Sequence, residues 1–334
     1  MDKKFLVGLT YDLVSDYPVL DDSPEDLYGE FDSEETVSAL ENTLMNIGYS
    51  VQRIGNINHL VKFLASGKRV DVVFNIAEGL WGRNREGQIP ALLEAYRIPY
   101  TFSDPITLGL SLDKAFTKSL WQQVGLPISP FCLVGASTDY EEPIKKGLEF
   151  PLFVKPAREG SSMGIGLNSI VESTEQLKIQ VDRVISTYHQ PALVEEFLPG
   201  REFTVAVLGH NSTAKVLGVL EVTKVMHCKV NGFAQKADWK TYGPIAFEPL
   251  EDTLLQEQIE RICLQAYQVI GCRDVARLDL RMDKHGLPQL LEINPLSGLS
   301  SHSALPIIAR HAGLSFEMLI ENILQGAIAR CDSE

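Results

Sequence analysis

Long apolar runs are missing from this chain of 334 residues. Behind Lys3 and Lys4, the run Phe5 to Leu9 is too short for the core of a secretion signal, and no stretch reaches the length a bilayer demands. Basic charge is scarce as well. With 30 Lys and Arg against 44 Asp and Glu, the formal charge is −14, and no basic stripe offers itself to nucleic acid. Cysteine is thinly spread: Cys132, Cys228, Cys263, Cys272 and Cys331 are odd in number and contain no C-x-x-C. They read as reduced thiols of a cytoplasmic protein. A Walker A loop is lacking too, because Ser66-Gly67-Lys68 continues into Arg69 rather than Ser or Thr. These absences set aside membrane, nucleic-acid and disulfide-scaffold functions and leave small-molecule chemistry.

What is present suits an α/β protein with about two or three domains. Short apolar runs at Phe5–Thr10, Val51–Ile54 and Val70–Ile76 read as strands with helical segments between them, which predicts an open parallel sheet of Rossmann-like type. Ser33-Glu34-Glu35 opens a helix with apolar positions Val37, Leu40, Leu44 and Ile47, stopped by Gly48. Ligands of such sheets sit beyond the carboxyl ends of strands. The segment there, Ala77 to Gly87, carries Glu78, Arg83, Arg85 and Glu86 among three glycines and reads as a polar ligand loop. The pattern changes near residue 103, and we expect units at 1–103, 104–194 and 195–334.

Leu108 to Val124 reads as one long helix bearing Asp113, Lys114 and Lys118. The strand Phe150–Pro156 holds Lys155 in an apolar run, where a lysine is rarely buried without an anionic partner. Arg158 to Gly166 follows, a Gly/Ser turn able to close its amides over phosphate. Within it, Gly160-Ser161-Ser162-Met163-Gly164 matches G-x-S-x-G, which would make Ser162 a serine-hydrolase nucleophile. That elbow must lead into a helix, whereas Ile165 to Val171 reads as extended.

Val275 to Asn294 predicts a β-hairpin turning at Asp283-Lys284-His285-Gly286. Strand alternation sets Arg277 and Asp279 on one face, where Glu292 and Asn294 from the returning strand can join them. Hard oxygen donors of this kind suit Mg²⁺, and a fixed guanidinium beside them suits an oxyanion or a carboxylate. The continuation Asn294-Pro295-Leu296-Ser297-Gly298-Leu299-Ser300-Ser301-His302-Ser303 supplies small residues whose amides and hydroxyls approach a ligand closely.

Four stretches together, LSLDKAFTKSLWQQVGLP, PLFVKPAREGSSMGIG, EEFLPGREFTV and RLDL…LLEINPLSGLSSHSALP, resemble the ATP-grasp superfamily and, within it, the D-alanine–D-alanine ligase family. The resemblance implies a three-domain ATP-grasp fold and an ATP-dependent ligase that joins a carboxylate to an amine through an acyl phosphate. It implies that Lys114 and Lys155 contact ATP. Glu195, with the backbone of Phe197 and Leu198, would read the adenine, and Glu202 the ribose. Ser161 and Ser162 would close over phosphate and substrate, with Lys236 the lysine of a mobile lid. Asp279, Glu292 and Asn294 would hold two Mg²⁺, with Mn²⁺ as a substitute. Arg277 and the Gly298 amide would form the oxyanion site. Ser303 would bind the carboxylate of the incoming amine substrate, and Glu34 the amino group of the first. A homodimer is also implied.

Four departures from the family surround the substrate. AEGLWGRNREG stands where the family has H-G-x-x-G-E-D-G, without the histidine; Ala237 replaces the tyrosine after the lid lysine; Asn294 to Ser300 replaces N-T-x-P-G-M-T; and the loop from Asp21 to Asp32 is acidic and longer than usual. ATP and metal positions persist while substrate positions change. The expectation is a ligase with amino-acid-like substrates other than D-alanine, its pocket shaped by Glu78, Arg83 and Arg85. D-alanine–D-alanine ligase proper is the alternative, followed by a non-catalytic ATP-binding homologue and the serine hydrolase.

Overall fold

The computed structural model describes residues 5–18, 23–224 and 245–331. Short apolar runs of the first hundred residues assemble β1 (Leu6–Thr10), β2 (Ser50–Arg53) and β3 (Val72–Asn75) into a parallel sheet in the order β2-β1-β3. Helices α1 (Glu34–Asn46), α2 (Ile57–Ala65) and α3 (Gln88–Ala95) connect and flank it. Ser33 fixes the start of α1 by accepting a hydrogen bond from the Thr36 amide. Tyr100 meets Val73 in an isolated parallel bridge at the edge of this sheet.

The helix expected over 108–124 is two helices, α4 (Pro105–Leu112) and α5 (Lys114–Gln123), broken at Asp113. Asp113 leaves helical geometry because its side chain accepts from the Phe116 amide and takes Arg83 at 3.0 Å and Arg158 at 2.8 Å. This break sets Lys114 on the first turn of a new helix. Next come β4 (Phe131–Val134), α6 (Glu142–Lys145), β5 (Leu152–Pro156), β6 (Ile170–Val171), α7 (Thr174–Tyr188) and β7 (Ala192–Glu196). Their four strands form an antiparallel sheet ordered β4-β7-β5-β6. The expected boundary at 194/195 falls inside β7, where Glu195 is paired in register with both Phe131 and Phe153.

A five-stranded antiparallel sheet follows the order β10-β9-β8-β11-β12, built from β8 (Glu202–Leu208), β9 (Lys215–Lys224), β10 (Ile245–Pro249), β11 (Val275–Met282) and β12 (Pro288–Asn294). Helix α8 (Thr253–Ile270) lays Ile259, Cys263, Ala266 and Tyr267 against Phe203, Val205, Leu278 and Leu280 in one core. The closing helices, α9 (Ala304–His311) and α10 (Phe316–Cys331), instead share a core with the first sheet: Leu319, Ile320 and Ile323 pack with Val7, Val37 and Phe74. The two ends of the chain are therefore one packed unit.

Asp274 ties that unit to the five-stranded sheet. Its carboxylate is fully buried, pairs with Arg330, and accepts from the Phe102 amide at 2.7 Å, while Arg330 also donates to the Tyr100 carbonyl at 3.0 Å. Removing it takes the acceptor from a buried amide and the carboxylate from a mostly buried guanidinium. Asp274→Ala should cost about 3–5 kcal/mol in denaturant unfolding, and Asp274→Asn, which keeps an acceptor for Phe102, distinctly less.

Candidate active site

The hairpin forms as the alternation predicts. Ala276, Leu278 and Leu280 of β11 face the core, and Arg277, Asp279 and Arg281 face a cleft of about 850 Å³. Across the ladder Asp279 stands opposite Glu292 and Arg277 opposite Asn294. The register shifts between Asp279 and Leu280, so Leu291 is the extra residue of a bulge in β12. Without it, strict alternation could not give Leu290 and Ile293 to the core while Glu292 and Asn294 line the cleft. Asp279 carries the Arg277 guanidinium as an ion pair. Asn294 has a buried amide nitrogen without a partner among the described residues. Two cleft-facing carboxylates and an unsatisfied amide, whose oxygen and nitrogen exchange on a flip, fit a Mg²⁺ donor set.

Opposite the hairpin lies a buried charge chain. Glu195 of β7 takes Lys118 on one oxygen and Lys155 on the other, each at 2.7 Å, with all three side chains nearly sealed from water. Lys118 also donates to the Leu290 carbonyl at 3.0 Å, linking α5 to the bulged strand. Lys114 donates to the Glu159 carbonyl and stands 3.6 Å from Glu292. Burial lowers Lys118 below the usual lysine range, whereas for Lys155 the charges of Glu195, Glu292 and Asp279 outweigh burial and raise it. Lys155 is thus held as a cation facing the carboxylates of the hairpin.

The rest of the wall comes from loops. Ser161 and Ser162 both adopt positive φ, at 44° and 61°, followed by Gly164 at 73°, a run that turns successive amides toward one side. No helix follows, which removes the geometry of a hydrolase elbow: Leu167–Ser169 is a single 3₁₀ turn leading into β6. Asp26 of the acidic loop accepts from the Gly164 amide at 2.8 Å and the Tyr188 hydroxyl at 2.9 Å, so the first unit reaches over and holds this turn. Ser303 bonds Ser300 at 2.8 Å, and a Cβ on Gly298 would sit 3.0 Å from the Ser303 hydroxyl, tight enough to favour glycine there. Arg281 lies over the Phe197 ring at 5.1 Å and 3.8 Å from Glu202, steadying both.

Most of the expected site residues line this one cleft: the ATP-side set Lys114, Lys155, Ser162, Glu195, Phe197, Leu198 and Glu202, the hairpin set, and Ser161, Gly298, Ser303 and Glu78. Three do not. Glu34 is 61% exposed on the first turn of α1, where Arg53 takes it at 2.6 Å, because the helix start points to solvent. Arg83 leans over the Phe116 ring and pairs with Asp113. Arg85 is buried behind the wall, bonded to Glu30 at 2.7 Å and Glu159 at 3.0 Å. Lys236 lies outside the described residues. Glu30, Glu86, Arg281 and Lys118 were not among the expected site residues, although Glu86 stood in the expected ligand loop and Lys118 on the helix of Lys114; Glu30 was one of many acids in its loop.

Burial alone would raise Glu195, but Lys118 and then Lys155 hold it down at about 2, against an ordinary value of 4.5. Its contribution to stability is complete above that ordinary value and is lost as the pH falls toward about 2. Denaturant midpoints measured from neutral to acid pH should show a loss on the order of 3 kcal/mol in that window. Glu195→Gln should lack this acid-sensitive component and be destabilised at neutral pH by about 3–5 kcal/mol, having two buried lysines unpaired.

Residues 120–325 match the family described as D-ala D-ala ligase C-terminus. An uncharacterized protein, y4sG, of Sinorhizobium fredii is 37% identical over 265 residues, covering 78% of this chain and 75% of its own. The D-alanine–D-alanine ligase of Actinobacillus pleuropneumoniae is 33% identical over 306 residues, 90% of this chain and 96% of its own. Among solved structures, the D-alanine–D-alanine ligase of Bacillus anthracis complexed with ATP superposes with a TM-score of 0.77 over 99% of both chains at 20% identity, which establishes the ATP-grasp fold. With that fold, a family match over most of its length and relatives at this identity, the chain belongs to the D-alanine–D-alanine ligase family of ATP-dependent ligases that form carbon–nitrogen bonds.

Proposed function

We propose that this protein activates an amino-acid-like carboxylate with ATP and joins it to an amine, and that its acid substrate is not restricted to D-alanine. The observation that carries the reading is the facing of Lys155, held by Glu195, with the Asp279–Glu292 pair across a single cleft. Phosphoryl transfer rests on positioning and charge neutralisation. Here Lys155 and Lys114 supply fixed positive charge, and Asp279, Glu292 and Asn294 are the residues that would hold Mg²⁺. When bound, two such ions would neutralise the phosphate charge that builds up as the substrate carboxylate attacks the γ-phosphate; Mn²⁺ would serve the same donors.

The resulting acyl phosphate must be kept from water. The Ser161–Ser162 turn, held by Asp26 at Gly164, is suited to cover it. Arg277 and the Gly298 amide would receive the oxyanion when the amine attacks, and Ser303 the carboxylate of that amine. Phe197, Leu198 and Glu202 form the nucleotide end. A homodimer is the expected assembly.

Departure from D-alanine is supported by Glu78, which stands in the loop where the family carries its histidine and which lines the cleft. D-alanine–D-alanine ligase proper is the second reading, favoured by the names of the relatives at 33% identity. The two are separated by measuring ADP release with a panel of D- and L-amino acids and amines: selective turnover with D-alanine alone would overturn the altered-substrate reading, and ATP binding with no amine-dependent turnover would indicate a non-catalytic homologue. Fluorophosphonate labelling of Ser162 should fail. Arg277→Ala should lower kcat by about 10²–10³-fold, the cost of one lost oxyanion donor, with the KM for ATP little changed.

A further inference from the structure

The Gly/Ser turn is a strained segment held from outside. Ser161 and Ser162 keep positive φ, at 44° and 61°, a conformation that persists in serine only where the surroundings over-determine it. Those surroundings belong largely to the first unit. At the start of the turn the buried Arg85 donates to the Arg158 carbonyl and to the Glu159 carboxylate, each at 3.0 Å, and is itself fixed by Glu30 at 2.7 Å. Arg83, from the same loop as Arg85, meets the Arg158 side chain on the buried Asp113. At the far end the buried Asp26 accepts from the Gly164 amide at 2.8 Å, and the Tyr188 hydroxyl donates to the same carboxylate. The two loops that supply these residues are themselves joined. Asp12 accepts from the Gly79 amide at 2.7 Å, and the Tyr17 ring packs 4.8 Å from Phe31 and 5.8 Å from Trp81.

We infer that Asp26 and Arg85 are positioning residues for the ligase reaction: they clamp the turn by its two ends over the acyl phosphate and set how much of that intermediate is lost to water. This rests on the ligase reading above. Neither residue lines the cleft, so each acts through the turn and not on the reacting atoms. Both stand in the two loops where this chain departs from its family, so the clamp is a feature of those departures. Arg85 suits the first grip because a planar guanidinium reaches a carbonyl and two carboxylates together. Asp26 suits the second because one carboxylate accepts from an amide and a hydroxyl at once. With the clamp made, the amine attacks the acyl carbon, the amide bond forms and phosphate leaves. With the turn lifted, water attacks the same carbon, phosphate leaves and the free acid returns, so ATP is consumed without product.

The test counts ADP released per amide bond formed, with the best acid and amine found and with ATP and Mg²⁺ in excess. Wild type should release about one ADP per bond, because water is kept out. Asp26→Ala and Arg85→Lys should raise that ratio, and should raise ADP release with the acid but no amine by about 10-fold, the effect of one lost hydrogen bond to a charged group. A purely structural role would lower ADP and amide together and leave the ratio where it was. Tyr188→Phe leaves every buried charge in place and decides the matter if Asp26→Ala does not fold; it should raise amine-free release by about 3-fold. A wild-type ratio in the folded variants would overturn the clamp. Failure of every acid–amine pair to release ADP would overturn the ligase reading instead. In that event amide hydrogen exchange across residues 159–164 decides: exchange about 10-fold faster in Arg85→Lys than in wild type upholds the clamp, and equal exchange removes it.

Discussion

The buried chain Lys118–Glu195–Lys155 is the constraint on which the cleft depends. Two lysines and one glutamate leave an excess positive charge away from water, an arrangement that is costly unless further anions face it. Glu292 and Asp279 provide part of that field from the opposite sheet. Lysines held in this way keep their charge and position without reorganising, which is the condition under which a polyphosphate is held strongly. The same chain joins three elements, since Lys118 belongs to α5, Glu195 to β7 and Lys155 to β5.

Its counterpart is the bulged hairpin. A regular β12 would turn either Glu292 or Leu290 to the wrong side, because side chains alternate faces strictly. The extra residue at Leu291 resolves the conflict locally and lets one strand serve a hydrophobic core and a polar cleft. The bond from Lys118 to the Leu290 carbonyl then fastens the bulge to the charge chain. Core packing, strand register and cleft electrostatics are in this way set by the same few residues.

Much of this half was legible in the sequence. Alternation from Val275 to Asn294 gave the hairpin, and the lone lysine in an apolar strand gave Lys155. Phosphate and metal chemistry permit few residue types, so the motifs stay readable. What was not legible depended on tertiary contacts. Asp113 interrupts a helical pattern because Arg83 and Arg158, distant in sequence, draw on its carboxylate. Glu34 was given a binding role by the resemblance, yet in the fold it stands on an exposed helix start where Arg53 pairs with it. Glu30, four positions earlier, sits in a loop with no periodicity, and only folding brings it next to Glu78 and Glu86.

That difference between the two halves has a physical origin. Lys155, Glu195, Asp279, Glu292 and Asn294 stand on paired strands, whose register fixes side chains to within a residue. The loop wall of the cleft forms where the acidic loop, the Ala77–Gly87 loop and the Gly/Ser turn meet, held by contacts such as Asp26 to Gly164 and Arg85 to the Arg158 carbonyl. Loops tolerate changes of length and sequence at little cost to the sheets that carry them. A chain of this fold can therefore keep its phosphate chemistry and re-form its substrate pocket by altering two loops. Here Glu78 stands in the loop where the family carries a histidine, and the loop from Asp21 to Asp32 is acidic and longer than the family's, while Lys155, Glu195, Asp279 and Glu292 keep the family's residue types.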